Sequence, residues 1–289
     1  MSYAVQIAEM FCVYAILGLT LNLVMGYGGL LSLSHGIFFG LGAYTTALLM
    51  LHLEWQFLPA CAAAIAVCSF VAIVFALPTV RLRGDYFVLS TVALHMIGYC
   101  FLYNLVAVTR GPYGITGIPC PAIAGIGIAS RHGALAIAFG SLVIVTLLQW
   151  QLARSPFGRV LRAVRDDETA ALSLGKSVVW VRGFAFGISG GLAAIAGGAF
   201  AVYHGYLHPA SFTLNNSVLI VTLVVVGGSG TIRGPLVGAL FVTLLPELLR
   251  FLPVADAGRA DLQQIIFGLL LVLAMRFRPE GLAGVYRYD

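Results

Sequence analysis

Charge is what this sequence has least of. Only 9% of its 289 residues are Asp, Glu, Lys or Arg, against 60% hydrophobic residues, and its mean hydropathy is +0.99. About a quarter of the residues in an ordinary water-soluble domain are charged, so a soluble globule of this length is excluded. A water-facing surface needs polar groups and a lipid-facing one excludes them, which makes the chain an integral membrane protein. A basic stripe is missing too. The net charge of +5 comes from 16 Lys+Arg against 11 Asp+Glu in small clusters, which argues against nucleic acid as a partner. Five cysteines make no disulfide framework and have no metal-type spacing. Cys12, Cys61, Cys68 and Cys100 lie in apolar runs and Cys120 in a Gly/Pro-rich loop, so they read as small buried hydrophobes.

The stretches without charge are the expected spans, because an ionised side chain at the bilayer centre costs at least about 2.5–3.5 kcal/mol. No charged residue occurs between Glu9 and Glu54, room for two crossings of about 20 residues broken around 26–36. Trp55–Val80, Tyr86–Val108 and His132–Ala153 supply three more, Gly183–Ile232 is long enough for two, and Gly234–Leu252 and Ala260–Met275 close the series. The expected fold is therefore an all-α polytopic membrane protein of about nine transmembrane helices, eight to ten, with broken or re-entrant segments and a cytoplasmic helix. It forms a single membrane domain over 1–289. Nothing at the N-terminus reads as a cleaved signal peptide, which would need a charged n-region.

Alternating the spans places Arg81, Arg83, the six cations of 154–182, Arg233, Arg276, Arg278 and Arg287 on one side. Arg110, Arg131, Arg250 and Arg259 fall on the other. Short loops rich in Lys and Arg stay cytoplasmic, so the twelve-cation side and the C-terminus are expected inside, with the N-terminus outside.

Three Gly-rich segments break the spans: Gly26–Gly36, Gly111–Pro119 and Gly227–Pro235. Irregular backbone at membrane depth is tolerated only where protein or a water-filled cavity satisfies it, and such breaks point to transport pathways. For the third segment a plain interhelical turn is an equal reading, because Arg233 marks a cytoplasmic loop. Gly36, Gly40, Gly42, Gly183, Gly187, Gly190, Gly191, Gly197 and Gly198 argue for tight helix packing. Asn22, Ser34, His35, Thr91, Thr116 and Asn215 are polar groups at the breaks and are the candidate pathway residues. For each, an interhelical hydrogen bond is the competing role.

The longest charged stretch is 154–178. Pro156 suits a first helical turn and Gly175 a stop. Val160, Leu161, Val164, Ala171 and Leu172 form an apolar stripe beside Arg159, Arg162 and Arg165. A single surface helix is expected over Arg159–Leu174. Asp166, Asp167 and Glu168 would be repelled by anionic lipid, so a protein partner is favoured over the membrane surface.

The run Gly158-Arg-Val-Leu-Arg-Ala-Val-Arg-Asp-Asp-Glu-Thr-Ala-Ala-Leu-Ser-Leu-Gly175 resembles the coupling loop of permease subunits in branched-chain amino acid ABC importers of the LivM/LivH type. Ser32-Leu-Ser-His-Gly-Ile-Phe-Phe-Gly-Leu-Gly-Ala-Tyr44, Gly227-Gly-Ser-Gly-Thr-Ile-Arg-Gly-Pro-Leu-Val-Gly-Ala239 and Phe277-Arg-Pro-Glu-Gly-Leu282 match the same family. Gly84-Asp-Tyr-Phe-Val-Leu-Ser-Thr91 and Thr109-Arg-Gly-Pro-Tyr-Gly-Ile115 extend the resemblance over nearly the whole chain. Two departures stand out: Arg110 where the family usually has glycine, and Lys176-Ser177 where it usually has Ile-Asn. The resemblance implies a non-enzymatic permease half in a bacterial inner membrane. Its implied partners are a homologous second permease subunit, two cytoplasmic ATPase subunits and an extracytoplasmic solute-binding protein, besides membrane lipid. ATP and Mg would sit on the ATPases, since this chain has no Walker lysine motif and binds no cofactor of its own. Arg162, Arg165, Glu168, Ala170, Ala171 and Gly175 are the candidate ATPase-coupling residues, the last four of which match the family's coupling motif: Glu168 for a charged contact, the alanines for close approach, Gly175 for the turn out. Leucine, isoleucine and valine are the implied substrates, with urea, short amides or other amino acids as alternatives.

Two rivals are weighed on the residues. Gly227-Gly-Ser-Gly230 and His95-Met-Ile-Gly98 suggest an intramembrane serine protease, but the last histidine, His208, precedes Ser229 in the chain, the reverse of the rhomboid order. An ion-coupled secondary transporter usually keeps ionisable groups within its spans. Here Glu9, Glu247 and Arg250 sit near span ends, and His95 reads as a histidine hydrogen-bonded within the bundle.

Overall fold

A computed structural model describes residues 2–82, 84–119, 122–123, 126–127, 131–249, 256–277 and 281–284. Cys120, Arg83, Arg250, Arg278 and Arg287, which entered the sequence reading, lie outside these, as do the side chains of Arg131 and Arg259. The described chain is a helical bundle. Its helices are α1 (Ser2–Asn22), α2 (His35–His52), α3 (Phe57–Thr79), α4 (Asp85–Asn104), α5 (Val106–Thr109), α6 (Arg131–Arg154), α7 (Pro156–Asp166), α8 (Glu168–Ser173), α9 (Val178–His204), α10 (Leu214–Gly227), α11 (Arg233–Leu249) and α12 (Asp256–Phe277). Four two-residue strands pair in two antiparallel ribbons: β1 (Ile115–Thr116) with β4 (Tyr206–Leu207), and β2 (Ala122–Ile123) with β3 (Ile126–Gly127).

Six described helices are long and apolar enough to cross a bilayer: Tyr3–Tyr27, Phe57–Thr79, Asp85–Asn104, His132–Arg154, Val178–His204 and Pro209–Gly227. Of the nine expected crossings, the other three fall on α2, with histidine at both ends, α11, with 17 residues, and α12, whose apolar part is Gln264–Ala274. Burial separates the six. In α9 83% of the apolar window is enclosed and in α1 72%, against 22% in α4, so α1 and α9 are the axis of the bundle and α4 lies at its rim.

Small residues set how closely these helices approach. A Cβ on Gly197 would stand 2.3 Å from the Phe39 carbonyl oxygen and 2.5 Å from the Ala43 nitrogen, and one on Gly42 would stand 2.4 Å from the Ala194 Cα. Backbone therefore packs on backbone between α2 and α9, as small residues permit in membranes where no hydrophobic force draws helices together. Gly187 and Gly190 make room for the side chains of Ile73 and Ala72 of α3. Cys12, Cys61 and Cys68 are buried as expected, whereas Cys100 is exposed on the outer face of α4. Its apolar surroundings in sequence did not reveal that this helix is peripheral.

The break between α1 and α2 is real. After α1 the chain makes a π-helical turn at Leu23–Tyr27, then runs without regular structure to Ser34. Its depth follows from two helices used as rulers. Gly36 bonds to Ser217, ten residues before the end of α10 at Gly227, and His35 bonds to Ser189, eleven residues after the start of α9 at Val178. At 1.5 Å per residue the two distances are about 15 and 16.5 Å from the end of the bundle that carries α7 and α8. Each is about half the thickness of a hydrocarbon core of about 30 Å, so α2 begins deep inside the bundle.

The other two Gly-rich segments lie at the ends. Gly111–Tyr113 is a 3₁₀ turn leading into β1, which pairs with β4 and closes the end opposite α7. Arg110 there adopts left-handed backbone (φ 58°), the conformation glycine takes without strain. Gly227–Pro235 is the tight turn between α10 and α11, and a Cβ on Gly234 would lie 1.7 Å from the Gly228 carbonyl oxygen.

Gly197→Ala should cost about 1–3 kcal/mol by overpacking, whereas Gly140→Ala, on α6 with nothing within 4 Å of its Cβ position, should be neutral. Thermal unfolding of the two variants in detergent checks this; equal losses would contradict the packing account.

Candidate functional site

The charged stretch folds as two helices, not the single one expected over Arg159–Leu174. Ser155 caps α7 by accepting from the Gly158 amide at 3.2 Å, with Pro156 at the first helical position. Asp167 then leaves helical geometry (φ −150°, ψ 105°) and caps α8. Its Oδ1 accepts from the Thr169 hydroxyl at 2.6 Å, the Thr169 amide at 2.9 Å and the Ala170 amide at 3.0 Å. An Asp at the N-cap gives the backbone an alternative to continuing the first helix, which apolar periodicity alone does not reveal. These bonds, the Thr169 hydroxyl foremost, hold the Asp167 carboxyl below its ordinary pKa. The cap is thus fully ionised at neutral pH, and its contribution fades only as pH falls through that lowered value. Gly175 ends α8 in left-handed backbone (φ 73°), as its position suggested.

The side chains of this segment divide by direction. Leu161, Val164 and Ala171 are buried against the bundle, whereas Leu172 is 51% exposed, outside the stripe assigned to it, and Leu174 is 78% exposed. Of the six coupling candidates, four are tied inward. Arg165 Nη1 donates to the Gly26 carbonyl at 2.7 Å, and its Nε and Nη2 lie 2.8 and 2.7 Å from Asp166 Oδ1. Arg162 donates to the Ala153 carbonyl at 2.9 Å and the Gly158 carbonyl at 3.2 Å, its guanidinium 6.0 Å from the Tyr27 ring centre. Glu168 pairs with Arg182 of α9 at 3.1 Å, and Ala171 packs with Val164 and Val178. Ala170 and Gly175 are exposed.

The break at α2 gathers three of the six pathway candidates into one buried layer. Ser34 lies 2.9 Å from Ser32, and Thr91 of α4 accepts from the Leu33 amide at 3.1 Å while donating to the Val88 carbonyl at 2.7 Å. Ser189 of α9 donates to the Thr20 carbonyl at 2.5 Å, so its oxygen, 2.7 Å from His35 Nε2, receives that nitrogen's proton. Ser217 of α10 accepts from the Gly36 amide at 2.9 Å and lies 3.1 Å from His95 Nδ1. All seven side chains are at most 1% exposed. Ser189 and Ser217 escaped the sequence reading; as hydroxyls isolated in apolar or Gly-rich runs they carried the signal of an interhelical bond.

The remaining candidates lie elsewhere. Asn22 is a clamp at the α7–α8 end, its amide donating to the Thr231 carbonyl at 2.8 Å and accepting from the Gly230 amide at 2.9 Å. The C-terminal segment joins the same turn: Thr231 donates to the Ala283 carbonyl at 2.7 Å and the Leu282 amide to the Val226 carbonyl at 3.0 Å. Thr116 and Asn215 are exposed at the opposite end. Ser229 is buried in the 227–235 turn without a hydrogen-bond partner, and His95, its supposed partner in a protease, bonds to Ser217. Glu9, the seventh residue of the Tyr3–Tyr27 span, is fully enclosed, and its carboxyl oxygens have no hydrogen-bond partner. No cluster of three metal-ligating side chains occurs among the described residues.

A bundle with six helices long and apolar enough to cross a membrane, a helix that begins deep inside it at a polar layer, and a two-helix segment clasped to one end suit a transport permease subunit. A family model described as branched-chain amino acid transport system / permease component matches residues 3–275, and the chain belongs to that family. It is 34% identical to the high-affinity branched-chain amino acid transport system permease protein LivM of Salmonella typhimurium over 98% of this chain and 71% of the relative. The LivM of Escherichia coli strain K12 matches at 34% over 98% and 70%. The autoinducer 2 import system permease protein LsrC of Salmonella paratyphi B matches at 32% over 57% of this chain and 46% of the relative. No solved structure matches the chain.

Asn22→Ala removes the side-chain partner of the half-buried Gly230 amide and Thr231 carbonyl, each hydrogen bond worth about 0.5–1.5 kcal/mol. The expected result is a lowered unfolding temperature and faster proteolysis of the 228–234 turn, read on the purified variant. Unchanged values would show that the clamp carries no load.

Proposed function

We propose that the chain is one permease half of an ABC importer that carries leucine, isoleucine and valine across a bacterial inner membrane. The observation that carries this reading is the match to LivM permeases over 98% of the chain. The chain forms one membrane domain, 1–289, with 154–178 as its coupling loop. In this reading nine helices cross the bilayer, the α7–α8 end and the C-terminus are cytoplasmic, and a homologous permease subunit completes the pathway. A solute-binding protein delivers substrate from outside. ATP and Mg act on two ATPase subunits docked beneath.

The side chains divide the labour of coupling. Arg162, Arg165, Glu168 and Ala171 hold α7 and α8 against the bundle, while Ala170, Leu172, Leu174 and Gly175 present the face an ATPase groove receives. An exposed Leu174 on a polar helix end is apolar area that a partner would bury, at roughly 25 cal/mol per Å². Ser34, His35 and Thr91 lie on the path, where mid-membrane hydroxyls and the start of α2 can meet a zwitterion without fixed charge. The partial match to an autoinducer 2 permease shows that a related chain serves a different solute. The solute is therefore assigned by a binding screen on the cognate binding protein.

Proteoliposomes holding all the subunits should take up leucine with ATP inside, and uptake should continue when the proton gradient is collapsed. Leu174→Glu should reduce uptake at least tenfold while the two permease subunits still co-purify. Uptake that follows the gradient and ignores ATP would overturn the proposal.

A further inference from the structure

The two halves of the candidate site are physically joined, and Arg165 is the joint. Its guanidinium holds the Gly26 carbonyl, an oxygen in the π-turn that the broken span leaves at the end of α1. Its aliphatic stem lies where a Cβ on Gly29 would be, 2.6 Å away, at left-handed backbone (φ 69°). Leu161, one turn earlier on α7, is fully buried with Leu23 and Tyr27 of the same turn. Thus α7 grips the α1–α2 connection by a charged hydrogen bond, a close van der Waals contact and an apolar plug. Charge-assisted bonds of this kind are short and about twice as strong as neutral ones.

What lies beyond the grip gives it meaning. From Gly29 the chain runs five residues to Ser34, and on the way the Leu33 amide bonds to Thr91 of α4. At the first turn of α2 the Gly36 amide bonds to Ser217, which also touches His95 of α4. Two polar attachments therefore tie the broken segment to α4, the least enclosed of the six long apolar helices. A helix at the rim of the bundle, which sets two apolar side chains, Phe87 and Leu102, fully into the core beside its polar attachments, is the one of the six that a modest pull can move.

We propose that Arg165 is a positioning residue that carries the stroke of α7 and α8 through Gly26–Ser34 to Thr91 and His95 of α4. The inference rests on the ABC permease reading. It assigns the mobile element: α4, reached through the break, not the two spans that flank the coupling segment in sequence.

The test uses the whole importer in proteoliposomes with its binding protein, and reads leucine molecules taken up per ATP hydrolysed. ATP-dependent uptake by the wild type in the same vesicles establishes the permease reading independently. Arg165→Ala is expected to lower the ratio at least tenfold, and Arg165→Lys, which keeps the charge and a donor, to recover at least half of it. Thr91→Val, which removes the acceptor for the Leu33 amide at the far end of the route, should lower the ratio at least threefold. It also decides the matter if Arg165→Ala fails to assemble. An unchanged ratio in Arg165→Ala, even with both rates reduced together, or an unchanged ratio in Thr91→Val, would overturn the proposal.

Discussion

A backbone amide or carbonyl at membrane depth has no water to turn to, and the arrangement of this protein follows from how one broken span meets that condition. Between Gly26 and Gly36 the helical ladder stops, and protein groups take over its bonds. The Gly29 and Leu30 amides fold back to the Met25 and Val24 carbonyls at 3.1 and 3.0 Å. The Leu33 amide goes to Thr91, the Gly36 amide to Ser217 and the Gly26 carbonyl to Arg165. Each outside partner stands on a different helix, so the break draws α4, α10 and α7 to itself. At the deep end of the break an unsatisfied Gly36 amide would cost several kcal/mol, which is why Ser217 is fixed in place there.

Such a segment needs room, and glycine supplies it by bringing the neighbouring helices close. Gly42 and Gly197 let α2 and α9 meet backbone to backbone just beyond the break, and Gly187 and Gly190 bring α3 in behind. The rigid α2–α3–α9 stack is then the frame against which a less enclosed α4 is measured. Aromatic edges fill the space between: Phe38 and Phe87 both meet Phe186 edge-on, with ring centres 5.7 and 6.1 Å apart.

Much of this was legible in the sequence because lipid imposes a simple rule on composition. The charge-free runs marked the long apolar helices, the Gly-rich run 26–36 marked the break, and Pro156 and Gly175 marked the limits of the coupling segment. What escaped depends on direction and distance, which spacing does not encode. Arg162 and Arg165 have the look of a solvated basic face, yet both reach inward to carbonyls. Asn22 finds its partners 208 and 209 residues away. Asp167 stops one helix and starts another because its side chain outcompetes the backbone, an event invisible to a count of apolar positions. Thr116 and Asn215 shared the polarity of Ser34 and His35 but not their depth, and nothing in the run around Glu9 signals that it is enclosed.

The account makes the α1–α2 break the place where work done outside the membrane enters it. Hydrogen exchange of the complete importer in lipid nanodiscs addresses that claim directly, comparing the resting state with one in which the ATPases are trapped by ATP and vanadate. Peptides covering Gly28–Gly36 should be protected at rest and exchange at least tenfold faster when trapped, while those covering Ile188–Gly198 of α9 stay protected throughout. Equal protection of the break in both states, or exchange at rest as fast as in a surface loop, would contradict it.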